Sequence, residues 1–187
     1  MNIEFIITVF GILFFKAFWI FTDPRKSIGI FDDFLKNKKQ RNLTLFQILT
    51  IIPTYIVYIF SNQFSLNFNQ TIVNIGLILF ITGILFTVWA KVVMGKNWNH
   101  PIEHNIERQS EIVKDGPFRF SRNPIYVGII IFIAGFFIAL KSPFLVSLPI
   151  LLFIISQIIK KEEINLEKLF GGEYTEYKKQ VPRYLLF

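Results

Sequence analysis

Two polar segments of this 187-residue chain hold the residues whose types could do chemistry, and both border long apolar stretches. The first segment, residues 95–128, contains several arginines, two histidines and the run Arg-Asn-Pro at 122–124. The second segment, residues 160–187, begins close to the adjacent carboxylates Glu162 and Glu163. Arginine binds anions, and a carboxylate binds ammonium groups or acts as a general base. We therefore expect any binding site or catalytic centre to lie in these segments.

Several of these polar residues also have a purely structural interpretation. Pro124 suits the first position of a helix, where its missing N–H leaves no hydrogen bond unmade, and Asn123 suits the N-cap before it. Glu162 and Glu163 follow two lysines, and exposed ion pairs of this kind contribute little to stability. Neither feature establishes a site by itself.

His100 and His104 have the spacing of two metal ligands on one helix face. Pro101 lies between them and disfavours a helix interior, and other ligands are not evident around them. We therefore expect no metal site. The chain contains no cysteine, which excludes thiol catalysis, disulfides, cysteine-ligated zinc and iron–sulfur clusters.

Five long apolar blocks must position the two polar segments. Hydrophobic residues make up 52% of the chain and charged residues only 18%, so the chain is neither disordered nor of ordinary soluble composition. A bilayer core about 30 Å thick requires about 20 mostly apolar residues as helix. The composition predicts one all-α integral membrane domain over residues 1–187. Its expected helices lie near residues 3–21, 43–60, 72–94, 125–140 and 143–159.

The two ends of this helical series carry further information. The first charge of the chain is Glu4, whereas a signal peptide begins with a positive region, so we expect the first block to remain as a helix. Only Lys141 and Ser142 separate the last two blocks, which predicts a short helical hairpin.

The net charge of +7 comes mainly from cations between the apolar blocks. Seventeen of the twenty lysines and arginines lie in residues 23–43, 95–124 and 160–187, whereas residues 61–71 have none. Cytoplasmic loops carry such an excess. The pattern predicts an outside N-terminus and a cytoplasmic C-terminus and active site. Topology and attraction to anionic headgroups account for the basic charge, so we expect no nucleic-acid partner.

Together, the two polar segments resemble the isoprenylcysteine carboxyl methyltransferases and related membrane enzymes such as the phospholipid methyltransferases. The stretch IVKDGPFRFSRNPIYVG is similar to the family pattern V-x-x-G-P-Y-R-x-x-R-H-P-x-Y-x-G. The matching residues are Val113, Gly116, Pro117, Arg119, Arg122, Pro124, Tyr126 and Gly128. Asn123 stands where the family usually has His, and Phe118 stands where it has Tyr.

The C-terminal segment carries the second half of the resemblance. Glu162, Glu163 and Leu166 match the family element E-E-x-x-L, and the following residues match F-G-x-x-Y-x-x-Y. Arg183 stands at the arginine of a closing V-x-R element. The KNWN at residues 96–99 resembles a further family element, G-R-N-W-S. The resemblance covers roughly residues 72–187.

The resemblance implies an S-adenosylmethionine-dependent methyltransferase without the soluble Rossmann-like fold. Its acceptor would be a lipid or a lipid-modified molecule at the cytoplasmic membrane interface. The resemblance places cofactor contacts at Val113, Gly116, Phe118, Arg119, Arg122, Asn123, Pro124, Tyr126, Gly128, Glu162 and Glu163. For the acceptor, Arg183 would hold a carboxylate, or Glu163 would act as the base for an amine.

These two acceptors define the main functional hypotheses. We expect isoprenylcysteine-type carboxyl O-methylation, with phospholipid N-methylation of the phosphatidylethanolamine type as the alternative. Two hypotheses come from other classes. One is an NADPH-dependent membrane reductase, because sterol-reductase-like proteins have a similar C-terminal architecture, and the other is a non-catalytic membrane scaffold.

Overall fold

The computed structural model of the chain describes residues 2–22, 38–60, 65–97 and 111–185, and this part contains helices but no strand. Its α-helices are α1 Ile3–Thr22, α2 Lys38–Phe60, α3 Gln70–Met94, α4 Pro124–Ala139, α5 Leu148–Phe170 and α6 Gly172–Gln180. Short 3₁₀ turns lie at Gly95–Asn97, Gly116–Arg119 and Pro143–Ser147. The predicted all-α fold is confirmed.

Three of the described stretches are long and apolar enough to cross a membrane: Ile3–Thr22, Gln70–Met94 and Pro143–Phe170. Ile48–Phe60 and Pro124–Ala139 are shorter apolar helices. At about 1.5 Å per residue, the 16 residues of α4 extend only about 24 Å, which is less than a bilayer core. The first helix of the predicted final hairpin is therefore short as expected, whereas the second is long enough to cross a membrane.

The last long helix differs most from its predicted bounds. The sequence predicts an apolar helix over residues 143–159 and a helical continuation over 161–170 that ends at Gly171 and Gly172. In the structure residues 143–147 form a 3₁₀ turn, and a single helix, α5, runs without interruption to Phe170. Ser142 caps the turn, because its Oγ accepts a hydrogen bond from the Phe144 backbone N–H at 3.2 Å. Gly171 ends α5 with a φ of +53°, a backbone conformation that favours glycine. One helix thus carries both the membrane block and the Glu162–Glu163 pair.

Glycines bring α3 and α4 together at backbone distance. A Cβ atom at Gly83 would lie 2.4 Å from the Phe132 backbone nitrogen, and one at Gly135 would lie 2.3 Å from the Phe80 backbone nitrogen. Small residues allow this close approach between membrane helices. The rings of Phe80 and Phe132 then pack edge to face in the core, with centroids 6.1 Å apart. Helix α5 packs against α4 of this pair and against α2.

A second apolar cluster supports the polar loop before α4. Ala90 of α3, Phe118 of the loop and Ile125 of α4 are buried together, and Trp19 of α1 packs against them. The ammonium of Lys91 lies 3.8 Å from the centre of the Trp19 ring. A cation over an aromatic face is attracted by the ring quadrupole. The contact holds the end of α1 beside the loop.

The close approach of α3 and α4 at their glycines predicts that a larger side chain at these positions destabilises the protein. We expect Gly83→Ala to lower the stability of the protein by about 1–3 kcal/mol, because the added methyl group would force the helices apart. The measurement is the thermal unfolding midpoint of the purified protein in detergent. Gly172→Ala is the matched control, because a Cβ there meets no atom within 4 Å. Equal midpoints for the two variants would contradict the packing.

Candidate functional site

Glu163 lies at the centre of a polar cluster at the end of the bundle where α4 begins. Its side chain is only 4% exposed. Oε1 accepts hydrogen bonds from Arg122 Nε at 3.0 Å and from Asn123 Nδ2 at 3.3 Å. Oε2 accepts from Arg183 Nε at 3.0 Å and from Arg183 Nη2 at 2.5 Å. A carboxylate can be buried in this way only when charge and hydrogen-bond partners compensate it.

Arg122 ties three separate segments of the chain together. Besides Glu163 of α5, it binds the end of α6, where Nη1 donates to the Lys178 carbonyl at 3.1 Å and to the Val181 carbonyl at 2.6 Å. Its side chain is 9% exposed. Because Nε and Nη1 are both engaged by protein groups, Arg122 organises the cluster from inside.

Arg183 is the more accessible arginine of the cluster. Its side chain is 36% exposed, while Glu163 holds it through two nitrogens. The hydrogen bonds to Glu163 raise the pKa of the Arg183 guanidinium, so it stays charged. A charged and partly exposed guanidinium is suited to bind a carboxylate or a phosphate.

Asn123 precedes α4 as predicted, but its side chain does not cap the helix. Its carbonyl accepts hydrogen bonds from the backbone N–H groups of Tyr126 and Val127. The side-chain Nδ2 instead donates to Glu163 Oε1 and, at 3.2 Å, to the Arg183 carbonyl. The N-cap prediction was therefore right about the helix start and wrong about the side chain, because the hydrogen bonds of Nδ2 orient the amide toward Glu163 and Arg183.

Tyr126 and Glu162 form a second polar contact between α4 and α5. The Tyr126 hydroxyl donates to Glu162 Oε1 at 2.7 Å, and the tyrosine ring is buried in the core. Tyr126 lies one helical turn after Asn123, and Glu162 is the neighbour of Glu163. The predicted residues Arg122, Asn123, Tyr126, Glu162, Glu163 and Arg183 are thus brought together.

Two predicted cofactor residues of the 3₁₀ turn lie outside this polar cluster. Arg119 is 70% exposed and pairs with the still more exposed Asp115 at 3.4 Å. Gly116 has a φ of +56° and lies beside Trp89 and Val93 of α3. Gly116 makes the turn possible, and Arg119 faces outward.

The remaining predicted residues lie in the packing around the cluster. Val113 and Phe118 pack in the apolar cluster with Ala90 and Ile125. Pro124 is the buried first residue of α4, as predicted. A Cβ at Gly128 would lie 2.1 Å from the hydroxyl oxygen of Thr87, so this glycine serves the α3–α4 contact. The histidines His100 and His104 lie outside the described residues.

The site predictions omitted the two buried tyrosines of α6. The Tyr177 hydroxyl donates to the Phe118 carbonyl at 2.7 Å. Burial raises the pKa of Tyr174, and the Glu163 charge adds to this rise, so the hydroxyl stays protonated beside the cluster. Both tyrosines matched the tail motif, and their i, i+3 spacing places them on one helix face. That spacing was the signal that could have identified them as site residues.

A largely open apolar cavity of about 620 Å³ lies along α4 and α5. Its walls include Ile130 and Ile131 of α4, Leu152 and Ser156 of α5, and Tyr184. Ser156 lies seven residues before Glu163, so the two share a face of α5 about 10 Å apart. Tyr184 directly follows Arg183. The charged cluster is therefore joined through the backbone, at residues 183 and 184, to the wall of an apolar cavity.

Comparison with known proteins identifies the family of this arrangement. The sequence model of the phospholipid methyltransferase family matches residues 71–173, more than half of the chain. This chain belongs to that family. The matched region includes every predicted cofactor residue, while Arg183 lies beyond it. The resemblance noted from the two polar segments is confirmed.

Individual relatives of this family member are isoprenylcysteine methyltransferases. The protein-S-isoprenylcysteine O-methyltransferase of Xenopus laevis is 33% identical over 115 residues, covering 60% of this chain and 40% of that protein. A probable protein-S-isoprenylcysteine O-methyltransferase of Oryza sativa subsp. indica is 32% identical over 109 residues, which is 57% of each chain. The chain therefore spans about half the length of the curated relatives it matches.

The fold is similar to that of a solved membrane protein. The structure of the eukaryotic intramembrane Ras methyltransferase ICMT aligns with a TM-score of 0.66, with 24% identity, over 90% of this chain and 61% of that chain. This likeness supports the all-α integral membrane fold.

The buried ion pair of Arg122 with Glu163 should contribute far more to the free energy of unfolding than the exposed pair of Lys114 with Glu173. Arg122→Ala leaves the buried Glu163 with one charged partner, so we expect a loss of about 3–5 kcal/mol in the free energy of unfolding. Lys114→Ala is the matched control, because it removes a pair with Glu173 that is about half exposed, worth about 0–1 kcal/mol. Denaturant unfolding in detergent measures both, and similar losses would contradict the assignment.

Proposed function

We propose that this chain transfers a methyl group from S-adenosylmethionine to the carboxylate of an isoprenylcysteine-type acceptor at the cytoplasmic membrane interface. The observation that carries the proposal is the position of Arg183. It is a charged, partly exposed guanidinium held by Glu163, and the next residue, Tyr184, lines an apolar cavity. A lipidated carboxylate has both features that this arrangement would recognise.

The polar residues of the cluster fit the methyl donor. Its ammonium and ribose hydroxyls require acceptors, for which Glu162 offers a half-buried carboxylate fixed by Tyr126. Asn123 adds its Oδ1 as a further acceptor, because Nδ2 already donates to Glu163 and to the Arg183 carbonyl. When bound, S-adenosylmethionine supplies a methyl group on a sulfonium. The contribution of the chain is to hold the acceptor carboxylate in place and to exclude water around it.

The hydrogen bonds of Glu163 favour carboxyl O-methylation over amine N-methylation. An amine acceptor requires a base to take its proton, and Glu163 was the candidate for that role. Its two oxygens instead accept hydrogen bonds from Arg122, Asn123 and Arg183. A carboxylate between two guanidinium groups is a weak base. A carboxylate acceptor needs no such base, because it attacks as an anion.

The relatives support the same class of acceptor. The Xenopus and rice proteins are both named isoprenylcysteine O-methyltransferases. Neither name refers to a reductase or a scaffold. The positive-inside distribution of the cations supports the cytoplasmic placement of the site and an N-terminus on the opposite side.

A methyl-transfer assay with two acceptors tests the proposal. Native membranes containing the protein receive labelled S-adenosylmethionine, with farnesylcysteine and phosphatidylethanolamine analogues offered together. We expect the label in a methyl ester of the farnesylcysteine analogue. Label in the phosphatidylethanolamine analogue would establish N-methylation instead. Binding of NADPH rather than S-adenosylmethionine by the purified protein would establish the reductase hypothesis, and binding of neither would leave the scaffold.

If Arg183 binds the acceptor carboxylate, its removal should lower kcat/KM for the acceptor in the same assay. We expect Arg183→Ala to lower kcat/KM for the farnesylcysteine analogue about 10- to 100-fold, because hydrogen bonds to charged groups contribute about 1.5–3 kcal/mol. Arg119→Ala is the matched control, since Arg119 faces outward and pairs only with exposed Asp115 in the described part of the chain. An equal loss in both variants would remove the special role of Arg183.

If the apolar cavity holds the acceptor tail, filling it should also lower kcat/KM for the acceptor, independently of Arg183. We expect Ser156→Trp to fill the apolar cavity and to lower kcat/KM for the farnesylcysteine analogue at least about tenfold, which corresponds to about 1.4 kcal/mol. The affinity for S-adenosylmethionine should remain unchanged. Val146→Trp is the control, because Val146 is highly exposed and does not line the cavity. Unchanged kinetics in Ser156→Trp would show that the acceptor tail lies elsewhere.

A further inference from the structure

The backbone of residues 181–183 is fixed by donors from residues 121–123. The Arg122 backbone N–H donates to the Pro182 carbonyl at 2.9 Å, and Arg122 Nη1 donates to the Val181 carbonyl at 2.6 Å. The Arg183 carbonyl accepts two hydrogen bonds, from Ser121 Oγ at 3.0 Å and from Asn123 Nδ2 at 3.2 Å. Three successive carbonyls of the C-terminal segment are thus held by the loop before α4.

Ser121 connects the two sides of this contact through a single hydroxyl group. It is fully buried, with 0% of its surface exposed. Its oxygen donates to the Arg183 carbonyl and accepts from the Asn123 backbone N–H at 3.0 Å. Both hydrogen bonds are to backbone groups, so Ser121 acts on the position of the main chain.

We infer that Ser121 is a positioning residue that sets where the Arg183 guanidinium lies. This inference rests on the proposed function, in which Arg183 holds the acceptor carboxylate. Glu163 fixes the side chain of Arg183 through Nε and Nη2, and Ser121 fixes the carbonyl of the same residue. Residues that hydrogen-bond to a binding residue without contacting the ligand determine where that binding residue lies. A displacement of about 1 Å at a reacting group lowers rates about 100-fold.

The inference separates the effect on the acceptor from the effect on the cofactor. Ser121→Ala removes the hydroxyl with little change in volume. It leaves the Arg183 carbonyl with the Asn123 amide as its side-chain donor in the described part of the chain, and it removes the acceptor of the Asn123 backbone N–H. The guanidinium then has more freedom, whereas the Tyr126–Glu162 contact is untouched. The acceptor should therefore bind less well, with a smaller effect on S-adenosylmethionine, because the proposed cofactor contact at Glu162 is retained.

Steady-state kinetics with the full chain in detergent or native membranes test this separation. We expect Ser121→Ala to raise KM for the farnesylcysteine analogue about 3- to 10-fold, the range for one lost hydrogen bond, and to raise KM for S-adenosylmethionine by a smaller factor. Ser121→Thr retains the hydroxyl and should restore most of the acceptor affinity. Ser147→Ala is the matched control, because that hydroxyl donates to the Phe144 carbonyl in the turn before α5.

A double-mutant cycle gives the decisive comparison. In the Arg183→Ala background, Ser121→Ala should have no further effect on the acceptor KM, because both changes act through the same guanidinium. Additive effects, or an equal loss of acceptor and cofactor affinity with a lower unfolding midpoint, would overturn the positioning role. If Arg183→Ala alone leaves the acceptor KM unchanged, the proposed function itself fails. If only Ser121→Ala is silent, the positioning inference alone fails.

Discussion

The burial of one carboxylate determines the arrangement of the whole site. Glu163 is on a helix that also spans the apolar layer, so its charge lies where water cannot solvate it well. Such a charge requires cationic partners, and Arg122 and Arg183 come from two different parts of the chain. Satisfying Glu163 therefore forces the loop before α4, helix α5 and the segment after α6 to meet at one point.

The close packing of α3 and α4 fixes the position of one side of this site. Gly83 and Gly135 let the two helices approach at backbone distance, and the start of α4 is thereby fixed relative to α3. Asn123 and Tyr126, at the start of α4, inherit this rigidity. The site is thus built on helix ends, while its Arg183 side comes from a short irregular segment held by hydrogen bonds.

Much of the fold and part of the site could be predicted from the sequence, for physical reasons specific to each feature. The apolar blocks, the start of α4 at Pro124 and the stop at Gly171 depend on local chemistry, which the sequence displays directly. The bonds from Arg122 to the Val181 carbonyl and from Asn123 to Glu163 join residues 59 and 40 positions apart. Such partners depend on tertiary packing, so the motif indicated the residues without indicating their contacts.

The position of the apolar cavity determines which concentration of the acceptor is relevant to binding. It runs along α4 and α5, and its walls include the exposed apolar side chains of Leu152 and Phe153. An acceptor that enters by this route approaches in two dimensions, already dissolved in the membrane. Its effective concentration is then its mole fraction among the surrounding lipids. Diluting the bilayer with inert lipid lowers that quantity even when the total amount of acceptor in the sample is constant.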